Sequence, residues 1–240
     1  MSERLLAKGM MAAAVVFGLV GVGLIALFPA GLPLWHLHWP LAGVLCWDAL
    51  LSFMFFLQHS GMMRRRFRAR LAALVPPSYH GAIYAIASGI ALALVVLLWQ
   101  PSDYPLLVLA GLPRRAVQAC AILAIAFFVW GIVALRGFDP FGLGPLKARL
   151  RGIEQTATPF VVRGPYRWVR HPMYSAIIVL IWSNPDVTMD RLLFAVLWTA
   201  WICIGARLEE RDLHREFGDA YERYRRAVPF LVPWRGPATL

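Results

Sequence analysis

Hydrophobic side chains occur in long blocks along most of this chain, separated by polar segments. The four longest blocks are Met11–Phe28, Leu41–Leu57 (interrupted by Asp48), Gly81–Trp99 and Ala116–Leu135. A helix needs about 20 mainly apolar residues to cross a hydrocarbon core of about 30 Å. We therefore expect four full transmembrane helices. The first block exceeds the roughly 7–15 apolar residues of a signal-peptide core, so we expect it to stay in the protein.

A fifth apolar block is divided by polar residues and predicts a helical hairpin. Met173–Trp182 forms the first arm, Ser183–Asp186 breaks the pattern, and Leu192–Ala206 forms the second arm. At about 1.5 Å per residue, the first arm is too short to cross the hydrocarbon core alone. Either it extends back through His171 and Pro172, or the hairpin stops partway across the bilayer.

The segment after the hairpin has the pattern of a helix that lies along a membrane surface. Leu208–Arg226 carries Leu208, Phe217, Tyr221 and Tyr224 among its charges, and Gly218 interrupts it. Val228–Trp234 contains two prolines and ends the helix. The predicted fold is all-α and integral to the membrane, with four full transmembrane helices, a C-terminal helical hairpin and a cytoplasmic interfacial helix. Residues 1–240 are expected to form a single membrane domain.

Strongly basic segments alternate with segments that carry few or no basic residues. Hydrophobic residues make up 60% of the chain and charged residues 15%, against about 25% in soluble domains. The net charge of +11 is concentrated after the second block, after the fourth block and after the hairpin, whereas Ala30–Pro40 has no Lys or Arg. This pattern predicts a multi-pass protein of the bacterial inner membrane with both termini in the cytoplasm. We expect the charge to contact anionic lipid and not nucleic acid.

Metal and soluble-cofactor motifs are missing from the sequence. The three cysteines, Cys46, Cys120 and Cys203, lie inside apolar blocks at spacings that fit neither a metal site nor a disulfide. We expect them to be small buried hydrophobic residues, and we expect no metal. Gly-x-Gly-x-x-Gly, Walker, His-Glu-x-x-His and Cys-x-x-Cys motifs are also absent. Any cofactor must therefore be held by the hairpin and the C-terminal segment.

Two groups of ionisable residues flank the hairpin, so its folding brings them together on the cytoplasmic side. The first group spans Arg163–Tyr174. Pro172 suits the first position of a helix, where free backbone N–H groups favour an anion such as a carboxylate. Arg170 adds donors for two parallel hydrogen bonds to a carboxylate. We therefore expect a ligand site around Arg170 and His171.

The second group follows the second arm and contains two adjacent carboxylates. Glu209 and Glu210 lie where that arm leaves the membrane. They either neutralise Arg170 or hold the ammonium and hydroxyl groups of a cofactor. Tyr221 and Tyr224 are three residues apart and share a helix face. They either anchor the helix at the interface or cover an adenine ring.

Two further polar residues belong to the second apolar block. His59 lies at its end, on the side of the basic segments, and is either an ordinary interfacial residue or a functional one. Asp48 lies within the block. It is either a partnered structural carboxylate or part of the wall of a substrate cavity.

The ordered motifs of the C-terminal third resemble those of the superfamily of isoprenylcysteine carboxyl methyltransferases and phospholipid methyltransferases. The matching residues are Gly164-Pro165-Tyr166, Arg170-His171-Pro172-x-Tyr174, Glu209-Glu210, Phe217-Gly218, Tyr221, Tyr224, Val228-Pro229 and Pro233. Members of this superfamily are integral-membrane enzymes that use S-adenosylmethionine.

The N-terminal half is similar to the NnrU-type half of the methanethiol S-methyltransferase family. The matching segments there are Leu57-Gln58-His59-Ser60 and Val75-Pro76-Pro77, and Phe138–Leu143 and Trp182–Leu213 fit the same family. The resemblance then extends over nearly the whole chain. It divides the chain into NnrU-like spans at residues 1–112 and a cofactor-binding part at residues 113–240.

The resemblance implies methyl transfer from the sulfonium of S-adenosylmethionine to a small thiol, with methanethiol giving dimethyl sulfide. It assigns cofactor binding to Tyr166, Arg170, His171, Pro172, Tyr174, Glu209, Glu210, Tyr221 and Tyr224. We expect Arg170, His59 and Glu209 to be catalytic. We expect His59, Asp139 and Trp182 to contact the substrate. The expected partners are the thiol and the lipid bilayer, without an obligate protein partner.

Three alternatives remain open. A lipid or prenylcysteine acceptor would use the same cofactor site with a differently shaped cavity. The C-terminal motifs also resemble the membrane sterol reductases that bind NADPH, although the large N-terminal half of those enzymes is missing. A non-enzymatic NnrU-like membrane protein would leave the C-terminal motifs without a role.

Overall fold

The computed structural model describes residues 3–28, 36–135, 139–153 and 160–239. In chain order these residues form α1 (Glu3–Leu27), α2 (Leu41–Met62), α3 (Arg65–Ala72), α4 (His80–Leu98), β1 (Pro105–Val108), α5 (Gly111–Ala134), α6 (Gly144–Arg151), α7 (Pro172–Trp182), β2 (Asp186–Thr188), α8 (Met189–Phe217) and α9 (Asp219–Ala227). The 3-10 turns Pro77–Tyr79 and Gly164–Arg167 precede α4 and α7. Most of the predicted loop Ala30–Pro40 lies outside the described residues.

The predicted all-α membrane class is confirmed. Within the described residues, α1, α2, α4, α5 and α8 are long and apolar enough to cross a membrane, and α7 is a shorter apolar helix. α7 starts at Pro172, the first helical position, so it does not extend back through His171. At 11 residues it is about 16 Å long. The first arm of the hairpin therefore covers only part of the membrane thickness.

Three details differ from the prediction. β2, in the bend between α7 and α8, pairs antiparallel with β1, which precedes α5. Neither strand was predicted, because runs of three or four residues are too short to show an alternation of apolar and polar side chains. The predicted interruption at Gly218 is found, with φ +52°, but the segment before it is not a separate interfacial helix, because α8 continues without a break to Phe217 and α9 follows. Cys46 and Cys120 are exposed and Cys203 is half-buried, because the spans turn much of their surface towards lipid instead of protein.

The first of two compact units comprises Met1–Ser102 and Asp139–Ala157. Within it, α1 and α4 approach each other so closely that a Cβ on Gly89 would lie 2.2 Å from the carbonyl oxygen of Phe17. Small residues at such crossings allow helix backbones to pack in membranes. A buried cluster accompanies this crossing and consists of Ala7, Ala14, Tyr79, Ala82, Ala85, Leu143 and Leu146.

The second unit comprises Asp103–Phe138 and Thr158–Leu240. Near the end of α5, Gly131 makes room for the first turn of α7, since a Cβ there would lie 3.0 Å from the Met173 side chain. Near the start of α5, Arg114 donates two hydrogen bonds of 2.8 and 2.9 Å to the Asp186 carboxylate of β2. α5 and α7 are therefore antiparallel. The start of α7 and the hairpin bend lie at opposite ends of α5.

Candidate active site

The start of α7 is held by the C-terminal segment of the chain. The two prolines keep Val228–Trp234 out of a helix, so its carbonyl groups are available to donors elsewhere. The backbone N–H of Arg170 donates to Pro229 at 2.8 Å, and that of His171 donates to Phe230 at 3.3 Å. Further along, the Ser175 hydroxyl donates to the carbonyl of Leu231 at 2.7 Å. This pairing positions the side chains of the Arg170-His171-Pro172 motif.

The Arg170 guanidinium lies at the centre of this arrangement. Its Nε donates to Glu210 Oε1, and its Nη1 donates to the carbonyl oxygens of Val228 and Arg225 at 2.6 and 2.9 Å. The side chains of Arg170 and Glu210 are only 11% and 13% exposed. Among the described residues, no acceptor binds Nη2, so one edge of the guanidinium remains available for a ligand. Of the two roles considered for the carboxylates, Glu210 takes the one that neutralises Arg170.

Glu209 has a different environment from its neighbour. Tyr174 Oη donates to Glu209 Oε2 at 2.8 Å, whereas His171 Nε2 lies 3.3 Å from Glu210 Oε1. The rings of His171 and Tyr174 are nearly parallel, at 17°, with centroids 5.4 Å apart. Within the described part of the chain, Glu209 Oε1 has no hydrogen-bond partner. Glu209 therefore keeps an oxygen that can accept a hydrogen bond from a ligand.

An aromatic cluster closes one side of the site. Tyr221 and Tyr224 are 1% and 5% exposed, and both rings contact the ring of Phe160 edge-on. Tyr224 Oη donates to the carbonyl oxygen of Tyr166 at 2.8 Å. Burial raises the pKa of Tyr221 and Tyr224, so both phenols are neutral. Their enclosure by protein does not fit side chains that anchor a helix in the lipid interface.

A cavity of about 440 Å³ opens between these elements of the second unit. Eight of the predicted cofactor residues line it: Tyr166, Arg170, His171, Pro172, Tyr174, Glu209, Tyr221 and Tyr224. The ninth, Glu210, does not line the cavity; it accepts a hydrogen bond from Arg170 Nε. The folding of the hairpin thus brings both ionisable groups to one cavity, as the sequence predicted.

The predicted substrate residue Trp182 does not line this cavity. It is the last residue of α7, about 15 Å along the helix from Pro172. Its Nε1 donates to Thr199 Oγ1 at 3.0 Å. Its contact with substrate stays a prediction without support from this geometry.

The other predicted substrate residues, His59 and Asp139, belong to the first unit. His59 Nε2 lies 2.6 Å from Tyr84 Oη, and Asp139 Oδ2 accepts a hydrogen bond from the backbone of Gly144 at the start of α6. Asp48 is fully buried and accepts a hydrogen bond of 2.9 Å from the backbone of Gln100. Of the two roles considered for Asp48, this contact fits a partnered structural carboxylate and not the wall of a substrate cavity. The roles of His59 and Asp139 at a substrate stay predictions.

Several residues of the cavity were not assigned to a site from the sequence. They are Leu135, Phe160, Val161, Val162, Met173, Leu213, Glu216 and Phe217, of which Phe217 appeared among the motifs of the resemblance. Leu213 and Phe217 lie one and two turns after Glu209 on α8, so a helix continuing past the membrane boundary would have indicated them. Phe160 follows a Gly- and Pro-rich stretch that carries no periodic pattern, and nothing in the sequence indicates its position.

Comparison with known proteins identifies relatives over most of the chain. The family model described as NnrU protein matches residues 49–231. A methanethiol S-methyltransferase of Pseudomonas sp. (strain GM41(2012)) is 35% identical, covering 82% of this chain and 75% of the relative. One of Mycobacterium tuberculosis is 33% identical, covering 81% of this chain and 80% of the relative. Nurim of Rattus norvegicus is 26% identical over 70% of this chain.

No solved structure matches the chain. The family match runs through residues of both compact units and includes the whole Arg170-His171-Pro172 motif and both glutamates. The two methanethiol S-methyltransferases named above are more than 30% identical and are covered over more than two thirds of their length. The chain therefore belongs to the NnrU protein family and is a homologue of the methanethiol S-methyltransferases.

Proposed function

We propose that this protein transfers a methyl group from S-adenosylmethionine to a small thiol, with methanethiol as the acceptor and dimethyl sulfide as the product. The observation that carries the proposal is the 35% identity to a methanethiol S-methyltransferase over 82% of this chain. The cavity of the second unit supports the proposal, because its volume falls within the roughly 300–1,000 Å³ of small-molecule sites.

The residues of the cavity fit the chemical groups of the proposed cofactor. Glu209 Oε1 offers a carboxylate oxygen to an ammonium or a ribose hydroxyl, and Arg170 Nη2 offers an N–H edge to a carboxylate. Phe160 and Phe217 supply apolar ring surface for adenine. The Tyr166 hydroxyl is buried and has no partner among the described residues. A buried hydroxyl without a partner costs free energy, which favours a ligand that supplies one.

The cofactor supplies a methyl group on a positively charged sulfur, which is already a good leaving group. The thiol first loses its proton, because the thiolate is the nucleophile. In the transfer, the thiolate sulfur would form a bond to the methyl carbon, and the bond from that carbon to the sulfonium sulfur would break, with its electron pair leaving on the thioether. The protein has little acid–base work beyond that one proton, so its main contribution is alignment. His59 is the proposed acceptor of the thiol proton.

The surroundings of the cavity suit such an alignment. Arg170 is fixed by three hydrogen bonds and Glu209 by one, so the groups that would orient a cofactor are already in place before it binds. Preorganised groups lose little entropy on binding. We assign the cofactor end to the part at residues 113–240. The charge distribution supports a location in the bacterial inner membrane with this site facing the cytoplasm.

The test is the release of dimethyl sulfide from methanethiol by the detergent-purified protein, with and without S-adenosylmethionine. Glu209→Gln is the test variant and Asp212→Asn the matched control, since Asp212 lies one turn away on α8, does not line the cavity and pairs with Arg215. Losing a charge-assisted hydrogen bond of about 1.5–3 kcal/mol weakens S-adenosylhomocysteine binding by about 10- to 150-fold. The control binds like the wild type.

Each other outcome redirects the proposal. Release that is unchanged in Glu209→Gln contradicts the site. Binding of S-adenosylhomocysteine without release of dimethyl sulfide moves the acceptor to a lipid or a prenylcysteine. Oxidation of NADPH without that binding favours the reductase alternative. If dimethyl sulfide release, S-adenosylhomocysteine binding and NADPH oxidation are all absent, the non-enzymatic alternative remains.

A further inference from the structure

A short basic helix follows the second span in the first unit. α3 carries Arg65, Arg66, Arg68 and Arg70, and Arg64 immediately precedes it. Phe67 and Leu71 are four residues apart and share one face, with Leu74 continuing that face beyond the helix. Phe67 is 40% exposed and Leu74 82% exposed. Apolar side chains on one face and arginines on the others are typical of a helix lying at a membrane surface.

Among the residues that the structure describes, the five arginines have no acidic partner. Between Asp48 and Asp103 the sequence contains these five arginines and neither Asp nor Glu. Within the described residues, none of the five forms an ion pair. The first unit's other described acids are engaged, since Glu3 pairs with Arg149 and Asp139 accepts from Gly144. The positive charge of α3 is therefore not neutralised by any acid in the described part of the unit.

A cavity of about 530 Å³ lies under α3. Its apolar wall includes Met62, Phe67 and Leu71, and its polar side includes Arg68 and His80. The only side-chain hydrogen bond of Arg68 among the described residues runs to the sulfur of Met63 at 3.4 Å. A thioether sulfur is a weak acceptor. The guanidinium therefore stands at the cavity without an oxygen acceptor.

We propose that this cavity binds the headgroup of an anionic phospholipid, with Arg68 donating to the phosphate and the apolar wall contacting the first carbons of the acyl chains. The position at the end of a transmembrane helix places the cavity where headgroups and acyl chains meet. The unpaired charge selects an anionic lipid over a zwitterionic one. Basic pockets beside transmembrane helices are suited to such headgroups.

The experiment titrates the detergent-purified protein with phosphatidylglycerol, phosphatidylcholine or inorganic phosphate and counts bound molecules by native mass spectrometry. Arg68→Gln is the test variant. Arg66→Gln is the control, because it removes the same charge from the same helix but does not line the cavity. Loss of one surface arginine weakens lipid binding by about fivefold. We expect at least a further tenfold loss for Arg68→Gln, roughly that of a charge-assisted phosphate contact.

Three results would overturn the proposal. The first is equal weakening in the two variants, which would reduce the site to diffuse surface charge. The second is equal retention of phosphatidylcholine and phosphatidylglycerol. The third is displacement of the lipid by inorganic phosphate at comparable concentration, which would make the cavity an anion site. If Arg68→Gln does not fold, Arg68→Lys keeps the charge without the planar fork and is expected to fall between the wild type and the predicted loss.

Discussion

Replacing Arg170 with Ala tests whether this residue holds the candidate active site together. The change removes the bond from Nε to Glu210 and the bonds from Nη1 to the carbonyls of Val228 and Arg225. It also leaves the Glu210 carboxylate, 13% exposed, beside His171 alone. Breaking a largely buried ion pair by removing one partner costs roughly 3–5 kcal/mol. For a chain of this size, that corresponds to a fall of about 6–20 °C in melting temperature.

The assay is an SDS titration of the protein in mixed micelles, followed by circular dichroism. Arg163→Ala is the control, since Arg163 is exposed, carries the same charge and has no side-chain hydrogen bond within the described residues. Its effect is expected to stay within about 0.5 kcal/mol. A double-mutant cycle with Glu210→Ala is expected to give a coupling of about 0.5–3 kcal/mol. Arg170→Ala as stable as Arg163→Ala, or a coupling of zero, would refute this account.

Three further predictions follow from contacts in the two units. Tyr166→Phe should not lower stability, since the hydroxyl is buried without a partner among the described residues, but it should weaken S-adenosylhomocysteine binding about two- to tenfold as measured by calorimetry. Tyr224→Phe should lose about 0.5–1.5 kcal/mol of stability in the SDS titration, because it removes the hydrogen bond to Tyr166. Gly89→Ala, whose Cβ would lie 2.2 Å from a backbone oxygen of α1, should cost about 1–3 kcal/mol in the same titration, and Gly23→Ala, with open space around it, should not. Burial raises the pKa of Tyr166, Tyr221 and Tyr224, so their contribution to stability is complete below about pH 10 and is lost as the pH rises towards the folded-state pKa. SDS midpoints that do not fall above about pH 10 would contradict that assignment.

The spans were predictable because burial in lipid imposes a long, simple pattern. The five helices of spanning length found in the described residues all fall on apolar blocks recognised in the sequence. The close approach of α1 and α4 was not predictable, since a single glycine inside an apolar run, such as Gly89, does not indicate which helix packs against it. The pairing of β1 with β2 depends on contacts between segments about 80 residues apart in the chain. Local patterns carry no information about such partners.

The candidate site was predictable where the chain path left little choice. A hairpin predicts that the polar groups flanking its two arms come together, and Tyr174 Oη does donate a hydrogen bond of 2.8 Å to Glu209. The same argument does not extend to Arg170. Its planar donors suggested a ligand carboxylate, yet Nε and Nη1 are taken by Glu210 and by backbone carbonyls of the C-terminal segment. A guanidinium has more donors than one ligand uses, so a residue chosen for binding can also be the residue on which the local fold depends. Loss of activity on replacing Arg170 would therefore not by itself identify a cofactor contact. Glu209 and Tyr166, which contribute less to the packing, are the residues at which binding and folding can be separated.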